Sequence, residues 1–195
     1  MKGGGRGRAM DGDFVTHVFL VRGIGPASHS IMTMKALEAA CQAQGLPGTR
    51  NLLATGNLIV TSDLAGAEVE VRFAQALQSG RLRRTWQRRN GLQIQAAAAG
   101  LRNLPDFAMP LATRPARVQL HFLAVPVSDA ALAGLRVLAP DTRIQRVGDE
   151  VVIDYGASIS QSVLTLARLD KVFGPAQTAR NWNTVCKIEA LLCGF

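Results

Sequence analysis

Phe14 to Arg22 reads FVTHVFLVR, and Val118 to Val125 reads VQLHFLAV. Both runs are dense in β-branched and aromatic residues. The first is expected as a buried strand and the second as an equally strong strand. The segments C-terminal to these two strands decide the fold. After the first, Gly23 to Ser28 (GIGPAS) breaks the strand. Thr33 is then placed to cap a helix reaching Gln44, with Met34, Leu37 and Cys41 on one face and Gly45 as the stop. Arg50–Leu53 and Leu58–Thr61 read as short strands around a turn containing Gly56-Asn57. Asp63 is expected to cap a second helix through Ser79, on which Val69, Phe73 and Leu77 recur every four residues. Leu92–Gln95 completes the set as a strand. The order β-α-β-β-α-β is that of a ferredoxin-like unit.

Ala96–Asn103 reads as a short helix, and Pro105–Pro115, with three prolines, as a linker. The order then almost repeats. After Val118–Val125, Ser128 caps a helix to Val137, and strands at Thr142–Val147 and Val151–Tyr155 flank the hairpin signal Gly148-Asp149. Helices at Ser160–Leu169 and Asn181–Leu192 complete the half, giving β-α-β-β-α-α. Two adjacent hairpins exclude a parallel doubly wound sheet. The expected fold is therefore α+β, in two small subdomains: a basic disordered tail over residues 1–13, an N-terminal subdomain over 14–104, a linker over 105–116 and a C-terminal subdomain over 117–195. The repeat is one of element order, without an evident residue-level match.

The 195 residues are 48% apolar and 18% charged, ordinary for a folded chain. The net charge of +8 is concentrated. Lys2, Arg6 and Arg8 lie in the Gly-rich start, and Arg81, Arg83, Arg84, Arg88 and Arg89 in one run. Cys41, Cys186 and Cys193 have no metal-ligand spacing and fit reduced thiols in a cytoplasmic protein. No apolar run approaches the ~18 residues of a membrane span, and no cofactor motif is present. Oligomeric state is not legible.

Four features carry chemistry. In the last helix, Arg180, Asn183, Thr184 and Lys187 fall within about a 100° sector, while Trp182, Val185, Ile188 and Leu192 cluster on another side. With Thr178 as cap, free backbone N–H groups near Arg180 would suit an anion, Arg180 offering a forked pair of hydrogen bonds and Lys187 a point charge. The Arg22-Gly23-Ile24-Gly25 loop is glycine-rich and could cradle phosphate, but it lacks both the full Gly-x-Gly-x-x-Gly spacing and a P-loop lysine, and it reads in the first place as a tight turn. The run from Arg81 to Asn90 interleaves Trp86 with Arg81, Arg83, Arg84, Arg88 and Arg89, the composition of a nucleic-acid contact and also of a solvated loop. Of three histidines, His17 and His121 lie in apolar strands, and only His29, in a polar loop, suits proton transfer. Asp141, Asp149, Glu150 and Asp154 read as hairpin surface.

Three blocks resemble the uncharacterised bacterial family catalogued as domain of unknown function 1697. They are Phe19-Leu20-Val21-Arg22-Gly23-Ile24, Thr55-Gly56-Asn57-Leu58-Ile59-Val60 and, most specifically, Thr178-Ala179-Arg180-Asn181-Trp182-Asn183-Thr184-Val185. They stand in family order from about Phe14 to Leu192. The resemblance implies an α+β fold with a ferredoxin-like part and no established activity. The family's loop usually continues Asn-Val-Gly-Gly where this chain has Gly25-Pro26-Ala27-Ser28, which weakens a phosphate-binding role for that loop here.

The residues admit four readings of function. An anionic ligand, phosphate-bearing or nucleotide-like, is bound by Arg180, Asn183, Thr184 and Lys187, with Arg22, Gly23, Gly56 and Asn57 nearby. Nucleic acid is bound through Arg81–Arg89 and the basic tail. An enzyme uses Arg180 as electrophile and His29 as acid or base. Or Arg180 and Asn181 are structural, buried with every hydrogen bond made inside the protein.

Overall fold

A computed structural model of the chain describes residues 14–24, 33–79 and 85–193. The basic tail, His29, Arg81, Arg83 and Arg84 lie outside the described residues.

The first half runs β1 (Val15–Val21), α1 (Met34–Ala43), β2 (Thr49–Leu52), β3 (Asn57–Ser62), α2 (Gly66–Ser79), β4 (Trp86–Asn90) and α3 (Gly91–Arg102). Helix α4 (Pro105–Thr113) and a 3-10 turn (Pro115–Arg117) lead into the second half. That half runs β5 (Val118–Phe122), α5 (Asp129–Leu138), β6 (Arg143–Val147), β7 (Glu150–Asp154), α6 (Leu166–Phe173), β8 (Thr178–Asn181) and α7 (Trp182–Leu192). Each half forms a four-stranded antiparallel sheet, in the orders β2-β3-β1-β4 and β6-β7-β5-β8. The two orders are equivalent, and both are ferredoxin-like.

Several expectations are corrected. The second half has a fourth strand, β8, so its order is β-α-β-β-α-β-α, the same as the first half with α3 included. The fourth strand of the first half is Trp86–Asn90, not Leu92–Gln95, which lies inside α3. The reason is a capping box: Asn90 Oδ1 accepts from Gln93 N, and Gln93 Oε1 accepts from Asn90 N, which starts a helix at Gly91. Asp63 does not cap α2, which begins three residues later at Gly66. The helix expected from Ser160 begins at Leu166, where the Thr165 hydroxyl caps it. Residues 105–113 of the proline-rich stretch are helical, with Pro105 at the first position, where a missing N–H costs nothing.

Strand alternation distributes the core. Phe19 and Val21 of β1 face outward onto α1 and α2, with Leu37, Val69 and Phe73. Val18 and Leu20 face the other way, into an inner core with Ile94 and Leu101 of α3, Trp182, Val185 and Ile188 of α7, and Leu120 and Phe122 of β5. Val151 and Ile153 of β7 face the outer core of the second half, under α5 and α6. The molecule is thus layered, outer helices, sheet, α3 with α7, sheet, outer helices. The inner helix pair is shared by both sheets. This explains why β1 and β7 are apolar without alternation: both of their faces are covered. No helix among the described residues is long and apolar enough to cross a membrane.

Candidate functional site

A cavity of about 860 Å³ opens between the halves. One wall is the end of β1 and the Arg22-Gly23-Ile24 turn, and another is β8 with the start of α7. Leu164, Leu166 and Leu169 give it an apolar side.

Arg180 comes from β8, not from the helix. The residue that caps α7 is Asn181, whose Oδ1 accepts from Thr184 N at 2.9 Å, not Thr178. The expected helix face is therefore corrected. Arg180 and Thr184 line the cavity, whereas Asn183 and Lys187 sit on α7 away from it. Arg22, Gly23 and Asn181 also line it.

Arg180 is only 9% exposed. Its Nε donates to Asn57 Oδ1 at 2.5 Å, Nη1 to Thr178 Oγ1 and to Ala179 O at 2.8 Å, and Nη2 to Val21 O at 2.9 Å and Gly56 O at 3.1 Å. The last two acceptors, and Asn57, belong to the other half of the protein. The close approach needs a glycine at position 56, because its φ is +78° and a Cβ there would stand 2.4 Å from Val21 O. All five N–H donors are engaged, and every acceptor is neutral. Among the described residues no carboxylate pairs with Arg180. Burial lowers its pKa to about 10, so it stays cationic at neutral pH. Gly56 and Asn57 thus act as supports behind the guanidinium, not as part of the cavity wall.

The other arginine at the cavity, Arg22, is compensated. It makes a forked pair with Asp170, at 2.9 and 2.6 Å, and donates to Pro175 O at 2.8 Å. Burial pushes the Asp170 carboxyl up, but bonds from Arg22 and Gln177 outweigh it and hold it below the ordinary value. From Asp170 a chain of contacts runs inward. Gln177 Nε2 donates to Asp170 Oδ1 at 3.1 Å, which leaves Gln177 Oε1 to accept from His121 Nδ1 at 3.2 Å. With its proton so placed, neutral His121 receives the Tyr155 hydroxyl at Nε2, 3.4 Å away. Burial lowers the His121 pKa to about 4 and pushes the Tyr155 hydroxyl well up. The sequence pattern places His121 in a packed strand, where it is, but Tyr155, Gln177 and Asp170 carry no local signal.

The arginine run divides. Trp86 packs its ring against Phe19 and Phe73. Arg88 pairs with Glu70 and lies 3.3 Å from His17 Nδ1. Arg89 is mostly buried and donates through Nε to Glu150 Oε1 at 2.6 Å, through Nη1 to Gln87 Oε1 at 3.1 Å and Arg88 O at 2.9 Å, and through Nη2 to Leu123 O at 2.6 Å. The hairpin-surface reading holds for Asp141 and Asp149, which are exposed, and is corrected for Glu150 and Asp154. Glu150 is 5% exposed and Asp154 0% exposed, both held by arginines.

Arg89 and Arg180 are equivalent residues. Arg89 lies opposite Val18 of β1, and Arg180 opposite Leu120 of β5. Each precedes the asparagine that caps the next helix. Each sends Nη1 to the side-chain oxygen two residues back and the carbonyl one residue back, and Nη2 to the carbonyl just past Leu20 or Phe122. Each sends Nε to the first residue of β3 or β7, Asn57 opposite Leu52 and Glu150 opposite Val147. Each half thus clamps the other. A smaller cavity of about 390 Å³, lined by Arg89 and Glu150, is the counterpart of the large one. Among their acceptors only the one on Nε differs in charge: a carboxylate meets Arg89, and a neutral amide meets Arg180.

A family model described as "Protein of unknown function (DUF1697)" matches residues 14–152, and the block from Thr178 to Val185 lies beyond that match. No curated protein matches the chain. Among solved structures, a conserved bacterial protein from Streptococcus pneumoniae superposes with a TM-score of 0.69 at 20% identity, over 92% of this chain and 99% of that one. At that identity the likeness establishes the fold.

Proposed function

The chain belongs to the DUF1697 family, proteins of unknown function, and from that premise we propose that it binds an anionic small molecule, phosphate-bearing or nucleotide-like, in the cavity between its halves. One observation carries the reading: Arg180 is a buried cation at the cavity wall that meets only neutral oxygens. A buried charge without an opposite charge is costly, and an anion entering the cavity would relieve that cost. With its five donors already engaged, Arg180 acts on the ligand through its field. Hydroxyl and amide groups of the wall, Thr184 and Asn181 among them, are within the same cavity to orient it. The volume lies in the range of small-molecule sites, and the leucine side suits an apolar or aromatic body.

The nucleic-acid reading has less support, because Arg88 and Arg89 are held in ion pairs with Glu70 and Glu150. Thermal unfolding with inorganic phosphate, AMP and ATP tests the proposal. At 100 times Kd a ligand contributes about 2.7 kcal/mol, a rise in Tm of roughly 5–10 °C. Arg180→Ala should lose the rise, and Lys187→Ala, away from the cavity, should keep it. No rise with any anion, or an equal rise in Arg180→Ala, would count against the proposal.

A further inference from the structure

The two clamps form an internal comparison. Their registers and the positions of four acceptors correspond; Arg180 has Gly56 O in addition and Thr178 in place of Gln87, both neutral, so the Nε acceptor is where the two clamps differ in charge. At Arg89 the acceptor is the Glu150 carboxylate, which also takes Leu123 N at 2.8 Å, so that the cation and the strand end are satisfied together. At Arg180 the acceptor is Asn57, 0% exposed, whose Nδ2 donates to Leu52 O and Thr55 Oγ1, both at 3.1 Å. These two bonds fix the amide so that its oxygen, not its nitrogen, faces Arg180. Asn57 therefore reproduces the contact of Glu150 with the arginine Nε without its charge, while Gly56 O takes Val21 N at 2.7 Å as Glu150 takes Leu123 N. The larger cavity lies at the clamp that lacks the carboxylate.

We infer that Asn57 is the specificity-determining residue of the cavity: by supplying a neutral acceptor where the twin clamp supplies a carboxylate, it leaves the charge of Arg180 to be met by the ligand. The inference rests on the proposed anion binding and narrows it. The ligand presents one anionic group toward Arg180, and a neutral analogue of the same shape does not replace it. The twin cavity, with Arg89 already neutralised by Glu150, does not take the same anion.

The test supplies the missing charge from inside. Asn57→Asp is nearly isosteric and puts a carboxylate on Arg180 Nε. Thr178→Asp puts one on Nη1 from a different element. Asn57→Ser and Thr178→Asn are the neutral controls. Binding of inorganic phosphate and AMP is measured by calorimetry on the full chain, with folding checked by circular dichroism. A unit charge about 5 Å away at an effective dielectric near 20 corresponds to about a 250-fold change in affinity. The acidic variants should lose about that much, and the neutral variant at each position should lose at least about tenfold less than the acidic one. An acidic variant that folds and binds as wild type does would overturn the inference, and so would neutral variants that lose as much as acidic ones. Should one acidic variant fail to fold, the other decides. Absence of binding in the wild type would instead remove the proposed binding itself, and this inference with it.

Discussion

Arg89 and Arg180 show how little of a site one residue's identity conveys. Both sit in the dipeptide Arg-Asn, at 89–90 and 180–181, and both asparagines cap helices. The match is present in the sequence, yet it cannot be aligned while Arg89 reads as loop and Arg180 as helix. Register, not composition, makes them equivalent. Their difference should be measurable in the absence of any ligand. Glu150→Ala leaves the mostly buried Arg89 without an anion and Leu123 N without its acceptor, and should cost about 3–5 kcal/mol in urea unfolding. Asn57→Ala removes a neutral acceptor and should cost about 1–3 kcal/mol. Equal costs would mean that charge is not what separates the clamps. His121 gives a second residue-scale expectation. Its pKa is about 4 in the fold against an ordinary value of 6.5, so the unfolded chain binds the extra proton. Stability should therefore be full above about pH 6.5 and fall as pH drops toward 4, by at most about 1.4 kcal/mol per pH unit. His17, also lowered by burial and by Arg88, adds to the same trend. Urea titrations at pH 7.5 and 5 should show the loss, and His121→Asn should reduce it.

Among the elements, buried apolar strands, hairpin strands and long amphipathic helices are legible in the sequence, and polar strands that pair only with a distant part of the chain are not. The sequence places β1, β5, β6 and β7 to within a few residues, and α1 and α5 likewise, because their periodicity reports a covered face. β4 and β8 escape it for one physical reason. Each pairs only with β1 or β5, far back in the chain, whereas the other edge strands, β2 and β6, sit in hairpins marked by a local turn. Their sequences, WQRRN and TARN, carry polar side chains whose partners are distant in the chain. A strand specified by salt bridges and by hydrogen bonds to the other half has no local hydrophobic signature. The capping box at Asn90 is, by contrast, readable as Asn-x-x-Gln. The caps give a prediction at this scale. Asn181→Ala should cost about 1 kcal/mol, and Asn181→Ser should restore most of it. The Asn90→Ala loss should be larger, because the box satisfies two backbone groups there. Equal denaturation midpoints for wild type and Asn181→Ala would show that α7 is held by packing alone.

On the scale of the molecule, α3 and α7 tie the halves into a single cooperative body. Both helices bury residues in the core that touches both sheets, so neither half can lose its inner layer without exposing that of the other. The two tryptophans report on different regions, Trp86 beside the outer core of the first half and Trp182 in the inner core. Unfolding observed in single-tryptophan variants, Trp86→Phe and Trp182→Phe, should give coincident transitions, also coincident with far-UV circular dichroism. Separate midpoints would show that the halves unfold independently. The ferredoxin-like repeat is visible in the sequence as an order of elements, but the sharing of the inner layer is not, since it depends on how two sheets meet. The paired clamps add something that packing alone would not. An arrangement that fastens itself twice carries a spare fastening. Both copies reach across, Arg89 to Glu150 and Leu123 and Arg180 to Asn57, Val21 and Gly56, and only one of them does so with an acid. A change of charge at the other alters what the cavity attracts while the twin clamp is left intact. In a chain built from two like units, novelty is least disruptive where the original task is still performed by the twin.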